Sequence, residues 1–301
     1  MEIDSFMEHL KTRTQSPETL RAYRQDLQKF EEFLRGRGLR VNQATVQTID
    51  QFIAHLSEQP TRKNGEVLAP ASVTRRLSVL SAYYEYLRAR SNGKVNNPVV
   101  RIKRPKVDNV QFRAVEESTL SSLLNGITNV RDRALIGLFL ASGLRLSEVY
   151  QLDKTSIARI QRKMPDGTIR ILGTGEVVGK GRKKRTFLID EDTISALLEY
   201  LRKRGSDSDP ALFLSERRQR LSTRSMQDIL HRWCRALKLS QLHIHQLRHS
   251  FATRMANANM ASVVLKELLG HSSFTATQRY FRIRPERLAR EFFAAMEYLR
   301  R

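Results

Sequence analysis

Cysteine is nearly absent from the chain: of 301 residues only Cys234 carries a thiol, so an intramolecular disulfide is excluded and a reducing, cytosolic setting fits. Cys234 lies beside Trp233 on an expected helix, where a buried, inert thiol is the natural reading. Long apolar runs are missing as well. No stretch approaches the roughly 18–20 residues that a membrane-spanning helix needs, and Met1-Glu2-Ile3-Asp4 lacks the basic-then-apolar layout of a signal peptide. Acidic residues are scarce beside basic ones, 31 against 53, which leaves a formal charge of +22 and a pI near 10.7. Such an excess repels itself unless a polyanion is at hand, so nucleic acid is the favoured partner and an anionic membrane surface the weaker one.

What is present reads mostly as helix, and the length suffices for two domains. Ser16-Pro17-Glu18 is a cap, a first-turn proline and an early acid, and Leu20, Tyr23, Leu27, Phe30 and Leu34 then recur at threes and fours. Further amphipathic runs cover about Val46 to Leu56 and Ala71 to Arg90. Together they predict a helical unit over residues 1–97. Asn96-Asn97-Pro98 breaks the pattern, and residues 98–113, with Arg101-Ile102-Lys103-Arg104-Pro105-Lys106, read as a basic linker that is either a plain connector or lies along a polyanion. Arg75, Arg76, Arg101, Lys103 and Arg104 are the phosphate-contact candidates here, each equally explicable as a solvated charge.

The second unit, expected over 114–301, opens with helices near Glu116 to Leu124 and Asp132 to Leu140, the latter apolar nearly all round and therefore central. Arg145 follows the break at Gly143, with Glu148 three residues on and able to hold its guanidinium. From about Thr168 to Ile189 the period shifts toward alternation, predicting a small β-hairpin or three-stranded sheet. Lys180 lies between Gly179 and Gly181 at its turn, in a run with Arg182, Lys183, Lys184 and Arg185 dense enough for phosphate contact. Helices resume at about Asp192 to Arg204 and Arg224 to Leu237, and a last one is expected over Pro285 to Tyr298.

The richest stretch is His243 to Tyr280. His245 and Arg248 share a helix face; Val263, Val264, Leu265, Leu268 and Leu269 make a short, buried-looking helix; Gly270 is placed to end it in the left-handed conformation, with His271 just beyond and Tyr280 nine residues on. Zinc is the competing use of these histidines, since His245 and His249 stand four apart with His243 nearby. Gln246 where a general-base Glu should stand, and a fixed cation at Arg248, argue against it.

Ala141-Ser142-Gly143-Leu144-Arg145, Gly179-Lys180-Gly181, His245-Gln246-Leu247-Arg248-His249-Ser250-Phe251-Ala252-Thr253, Leu268-Leu269-Gly270-His271-Ser272-Ser273 and Tyr280, in that order, resemble the motifs of the tyrosine recombinase (phage integrase) family, most closely its Xer-like branch. Ile244, where a proline is common, and Arg282 after Phe281, where a threonine-histidine pair is frequent, depart from the pattern outside the catalytic positions. The resemblance implies a mainly α fold with a small antiparallel β-sheet in the C-terminal domain: a helical core-binding domain followed by a tyrosine-recombinase catalytic domain. It implies Tyr280 as nucleophile on a DNA phosphodiester, Arg145 and Arg248 on its non-bridging oxygens, His245 and His271 positioning or accepting protons, and Lys180 protonating the leaving 5′ oxygen. Glu148 would orient Arg145, and Arg182 and Lys183 would add DNA contacts. No cofactor or metal is expected. The implied partners are a double-stranded DNA recombination site, further copies in a homotetramer joined through the C-terminal helix, and accessory proteins, in a cytoplasmic, nucleoid-associated setting. A non-cleaving DNA-binding or architectural protein on the same fold, and a type IB topoisomerase-like enzyme, are the alternatives.

Overall fold

The computed structural model describes residues 2–12, 17–58, 68–105, 114–164, 166–179, 183–271, 273–278, 280–281, 293 and 296–297, arranged as two compact units, 1–111 and 112–301. Of the expected helix over 285–298 only residues 293, 296 and 297 are described, and all three are helical.

Among the described residues four α-helices build the first unit: α1 (Glu2–Thr12), α2 (Pro17–Arg35), α3 (Val46–Glu58) and α4 (Pro70–Arg90). The first was not among the helices expected. Its signal is nonetheless present: Glu2 and Asp4 complement the positive end of the helix, and Ile3, Phe6, Met7 and Leu10 are the buried face. The core stacks Phe30 edge-on against Phe52 at 5.0 Å, and the buried Tyr84 hydroxyl donates to the Val41 carbonyl at 2.9 Å. A 3-10 turn, Pro98–Arg101, buries Pro98 and Val99, and Val99 and Ile102 join this core. The stretch read as linker therefore begins as part of the first unit, because apolar residues inside a basic run follow the core and not the charge.

The second unit is organised around α6 (Val130–Ser142), whose residues Ala134, Leu135, Ile136, Leu138, Phe139 and Leu140 are all buried. Before it comes α5 (Glu117–Gly126), and after it α7 (Leu146–Gln151). Strands β1 (Ala158–Lys163), β2 (Ile169–Val178) and β3 (Lys184–Ile189) form an antiparallel sheet in the order β1-β2-β3. Then follow α8 (Glu191–Arg204), α9 (Thr223–Ala236), α10 (Ile244–Asn257), α11 (Ser262–Leu269) and α12 (Thr275–Gln278). Cys234 is fully buried, and burial pushes its thiol above the ordinary value. Among the described residues no helix is long and apolar enough to cross a membrane.

On β3, Arg185, Phe187 and Ile189 point inward while Lys184, Thr186 and Leu188 point to solvent. The strand's period of two thus separates Arg185 from its basic neighbour Lys184 and turns it into the protein. A second correction concerns α11. Leu265 and Leu269 are buried, but Val263 and Val264 are 70% and 50% exposed, since so short a helix covers only one face.

Candidate active site

Three chain segments converge on one buried carboxylate. α6 ends at Gly143 in the left-handed conformation, φ 60°, and the chain turns at once so that Arg145 caps α7. An added Cβ at Gly143 would lie 2.4 Å from the Phe251 ring, so both the turn and the close approach of α10 require glycine. From the first turn of α7, Glu148 reaches back: its Oε2 accepts the Arg145 main-chain N–H at 2.7 Å and its Oε1 accepts Arg145 Nη1 at 2.8 Å. Arg185 Nη2 donates to Oε2 at 2.7 Å, and Arg248 Nη1 stands 4.0 Å from it.

Glu148 is 2% exposed. Burial alone would raise its carboxyl, but the Arg145 N–H and the charges of Arg185 and Arg145 outweigh this and hold it below the ordinary carboxylate range. Burial brings Arg248 down to about 10, with Arg145 adding to the effect and Glu148 opposing it, which still leaves the guanidinium charged at neutral pH. Three guanidinium groups face one carboxylate, an excess of two positive charges, in a cluster whose carboxylate is out of water. Such a cluster attracts an anion.

The arginines are held by main chain as well. Arg248 donates through Nη1 to the Gly143 carbonyl and through Nη2 to the Leu269 carbonyl, both at 2.5 Å. Arg145 Nη2 donates to the Gly270 carbonyl at 3.0 Å, and Arg185 Nη1 to the Leu268 carbonyl. These contacts fasten the C-terminal end of α11 onto the cluster. They leave each of Arg145 and Arg248 with unspent N–H groups from its set of five.

Gly270 then takes φ 61° and ends α11, as its position predicted, and His271 emerges half-buried with its Nδ1 2.8 Å from Thr277 Oγ1. A Cβ on Gly270 would stand 2.5 Å from Arg185 Cδ and 2.8 Å from its Nε. Because that arginine is buried and tied at both Nη atoms, it has nowhere to yield. Gly270→Ala is expected to lower the stability of the folded chain by about 1–3 kcal/mol, read by denaturation with Trp233, the single tryptophan, as the fluorophore; an unchanged midpoint would show that the cap is not under this constraint.

Helix α10 supplies the remaining groups. Its N-cap is closed by Gln246, whose Oε1 accepts the His243 N–H at 2.8 Å, and Ile244, Leu247, Phe251, Ala252 and Ala256 bury its inner face. His245 is exposed on the first turn; partial burial, then the charges of Arg248 and Arg145, keep its imidazole below the ordinary value, so near neutral pH it is a neutral acceptor. Tyr280 packs against the small cluster of Phe251, Ala252, Ala256, Leu265 and Leu269. Its hydroxyl meets His249 Nδ1 at 2.7 Å, and its ring stacks on His271 with centroids 6.3 Å apart.

The sequence candidates Arg145, Glu148, His245, Arg248, His271 and Tyr280 thus belong to one cluster built from the α6–α7 turn, α10 and the segment after α11. Lys180 and Arg182 lie outside the described residues; Lys183 is exposed, and its carbonyl accepts the Gly179 N–H at 2.8 Å. In the first unit Arg75 and Arg76 both pair with the buried Asp26, at 2.5 and 3.3 Å, and Arg76 is only 14% exposed. That commits Arg76 to holding α4 on α2. Arg101, Lys103 and Arg104 are exposed, and Arg104 Nη1 donates to Ser78 Oγ at 2.9 Å. His243 stands edge-on to His231 at 5.4 Å while His249 Nδ1 faces Tyr280, so the three histidines are not gathered as a chelate. Among the described residues no group of three or more His, Cys, Asp or Glu is placed to hold a metal ion. Two residues at the cluster were not singled out from sequence: Arg185, betrayed by its alternation with Phe187 and Ile189, and His249, visible only as the second histidine of the disfavoured zinc spacing.

Residues 113–287 match the Phage integrase family and residues 3–91 the Phage integrase, N-terminal SAM-like domain. The chain belongs to the phage integrase family. It is a tyrosine recombinase of the Xer-like kind: it is 35% identical over 272 residues to Tyrosine recombinase XerC of Actinobacillus succinogenes, covering 88% of this chain and 86% of that protein. Tyrosine recombinase XerC of Haemophilus ducreyi is 34% identical over 293 residues, 95% of this chain and 90% of that protein. The recombinase also shares its fold with XerH site-specific recombinase bound to palindromic difH substrate in a post-cleavage complex (TM-score 0.72, 20% identity, 91% of this chain and 78% of that one). A lambda integrase dimer bound to a COC' core site matches with TM-score 0.69 at 17% identity over 94% of this chain and 79% of that one.

Proposed function

We propose that this recombinase acts on a double-stranded DNA site, with Tyr280 attacking a phosphodiester to leave a 3′-phosphotyrosyl link and a free 5′ hydroxyl. The observation that carries the reading is the position of the Tyr280 phenol, in hydrogen-bond contact with His249 on α10, the residue that follows the buried Arg248. The Oη–P bond forms as the P–O5′ bond breaks, so the bond's energy is kept in the phosphotyrosine and religation needs no ATP. Arg145 and Arg248 hold the non-bridging oxygens and stabilise the negative charge that grows in the pentacovalent transition state, a task suited to planar, always-charged forks anchored from behind by Glu148 and main-chain carbonyls. His245 and His271 position the phosphate or accept protons. Lys180, which lies between β2 and β3 in the sequence, gives the leaving 5′ oxygen its proton.

One Tyr280 per chain makes one break, and exchanging two duplexes takes four. A homotetramer follows from that stoichiometry, joined through the segment expected to be helical over 285–298. With DNA as partner, the setting is the cytoplasm at the nucleoid.

The test is a nicked duplex carrying the recognised site, recovered from genomic fragments by selection on the purified chain. A covalent adduct is expected, attached to the 3′ side of the break through residue 280 and formed equally with and without chelator. Tight binding with no adduct would favour the non-cleaving, architectural alternative, and an adduct at the 5′ side would overturn the proposed polarity.

A further inference from the structure

We infer that His249 is a catalytic residue of this recombinase, the group that takes the phenolic proton from Tyr280 when the nucleophile attacks. The inference rests on the proposal that Tyr280 is the nucleophile. Its own basis is the contact between Tyr280 Oη and His249 Nδ1, at 2.7 Å. An unassisted phenol ionises near 10, so an attacking tyrosine at neutral pH needs a base already in hydrogen-bond contact with it, and the imidazole at that distance fills the role.

The surroundings hold this pair in place. His249 follows Arg248 directly, and its neighbours Leu247, Arg248, Ser250, Phe251 and Ala252 are all buried, so the imidazole is fixed by a packed helix. Ser250 reinforces this, accepting the Val115 N–H at 3.0 Å and donating to the Gln246 carbonyl at 2.9 Å. The phenol ring is held on its other sides by the α10–α11 apolar cluster and by the face of His271. The His249 and Tyr280 rings lie 5.5 Å apart and tilted by 49°, while His245 stands edge-on to His249 at 5.8 Å, one turn earlier. The division of labour is geometric. His271 directs its Nδ1 to Thr277 Oγ1, His245 sits exposed on the first turn of α10 three residues before Arg248, and His249 bonds the atom that reacts.

In the cleavage step the Oη–H bond breaks and its proton passes to Nδ1 of a neutral imidazole carrying its hydrogen on Nε2. The Oη electron pair forms the bond to phosphorus, and the P–O5′ pair leaves with O5′, which is protonated from the Lys180 side. In religation the imidazolium returns the Nδ1 proton to the departing phenolate. No oxidant, metal or further reactant enters the balance.

The experiment is single-turnover cleavage of the nicked duplex by the full chain, with an ordinary scissile phosphodiester and with a 5′-bridging phosphorothiolate, whose thiolate leaves without an acid. His249→Asn keeps an acceptor near the Nδ1 position but cannot take a proton. It is expected to cleave about 100-fold or more slowly, equally on both substrates and with DNA affinity unchanged, whereas Lys180→Ala is restored by the phosphorothiolate. A fluorinated tyrosine at position 280, whose phenol is more acidic, should recover part of the rate lost in His249→Asn; a merely structural role would give no such recovery. Cleavage by His249→Asn within threefold of wild type, rescue by the phosphorothiolate, or a loss that the fluorinated tyrosine leaves untouched would each overturn the assignment. If His249→Asn does not fold, His249→Phe, which keeps a ring in the same packing, carries the same comparison. Tyr280→Phe must lose the adduct in every background; if it does not, the nucleophile is misassigned, a failure distinct from that of His249.

Discussion

Tyr280→Phe is expected to form no covalent adduct with the nicked duplex at any time of incubation, while binding the same DNA as tightly as the wild type. The substitution removes one oxygen and leaves the ring where it packs, against Phe251, Ala252, Leu265 and Leu269. The folded chain loses the hydrogen bond to His249, worth about 0.5–1.5 kcal/mol net, and the cluster of Glu148 and its arginines, which does not run through the phenol, stays assembled and keeps the charge of the anion site. Loss of the adduct without loss of affinity would therefore separate chemistry from binding, which a substitution at Arg145 or Arg248 could not do. The measurement is a denaturing gel beside an equilibrium binding curve. A persistent adduct would require another nucleophile and would remove Tyr280 from the mechanism.

Glu148→Ala should have the largest effect on stability. The carboxylate lies between three guanidinium groups, two of them in direct contact with it and all three held by main-chain carbonyls that keep them from moving away. Arg185 and Arg248, each 5% exposed, would be left as buried charges without their anion. Breaking a buried pair in this way costs about 3–5 kcal/mol, and the Arg145 and Arg248 forks would lose the alignment that transition-state stabilisation needs, so cleavage should fall by at least about 100-fold. Glu148→Gln, which retains an acceptor oxygen, is expected to be milder. The same residue sets an acid limit. Its carboxyl ionises below the ordinary range in the folded chain, so its contribution is fully present above the unfolded value of about 4.3 and is lost as pH falls through the lower folded value. Below about pH 4.3 the wild type should lose stability more steeply than Glu148→Gln. Denaturation followed through Trp233 at several pH values checks both statements; a Glu148→Ala variant within about 1 kcal/mol of wild type would mean that the arginines do not depend on this carboxylate.

Much of the fold is legible in the sequence because it rests on local rules. The apolar spacing of α2, α4 and α6, the left-handed stops at Gly143 and Gly270, and the alternation of β2 and β3 are each settled within a few residues by sterics and by which face must be buried. The set Arg145, Glu148, His245, Arg248, His271 and Tyr280 was legible for a different reason: polar residues at fixed ends of short packed elements, in an order that resembles a known family.

What the linear chain left undecided depended on contacts between distant segments. Pro98–Ile102 looks like connector until a core is there to receive Val99 and Ile102. Arg185 looks like one more surface cation until β3 turns it onto Glu148, 37 residues away. Arg76 is one more basic residue of α4 until Asp26, 50 residues away, pairs with it.

The sequence by itself determined which elements form, where they stop and which reactive side chains they carry, since these follow from torsional preference and the period of burial. The tertiary structure decided which charge belongs to which partner: that Glu148 is shared by three arginines, and that the Tyr280 hydroxyl meets His249, 31 residues back in the chain. The physical reason is that electrostatic and hydrogen-bond partners are fixed by distances of a few ångströms across segments 31 to 125 residues apart, and those distances exist only once the apolar cores have packed.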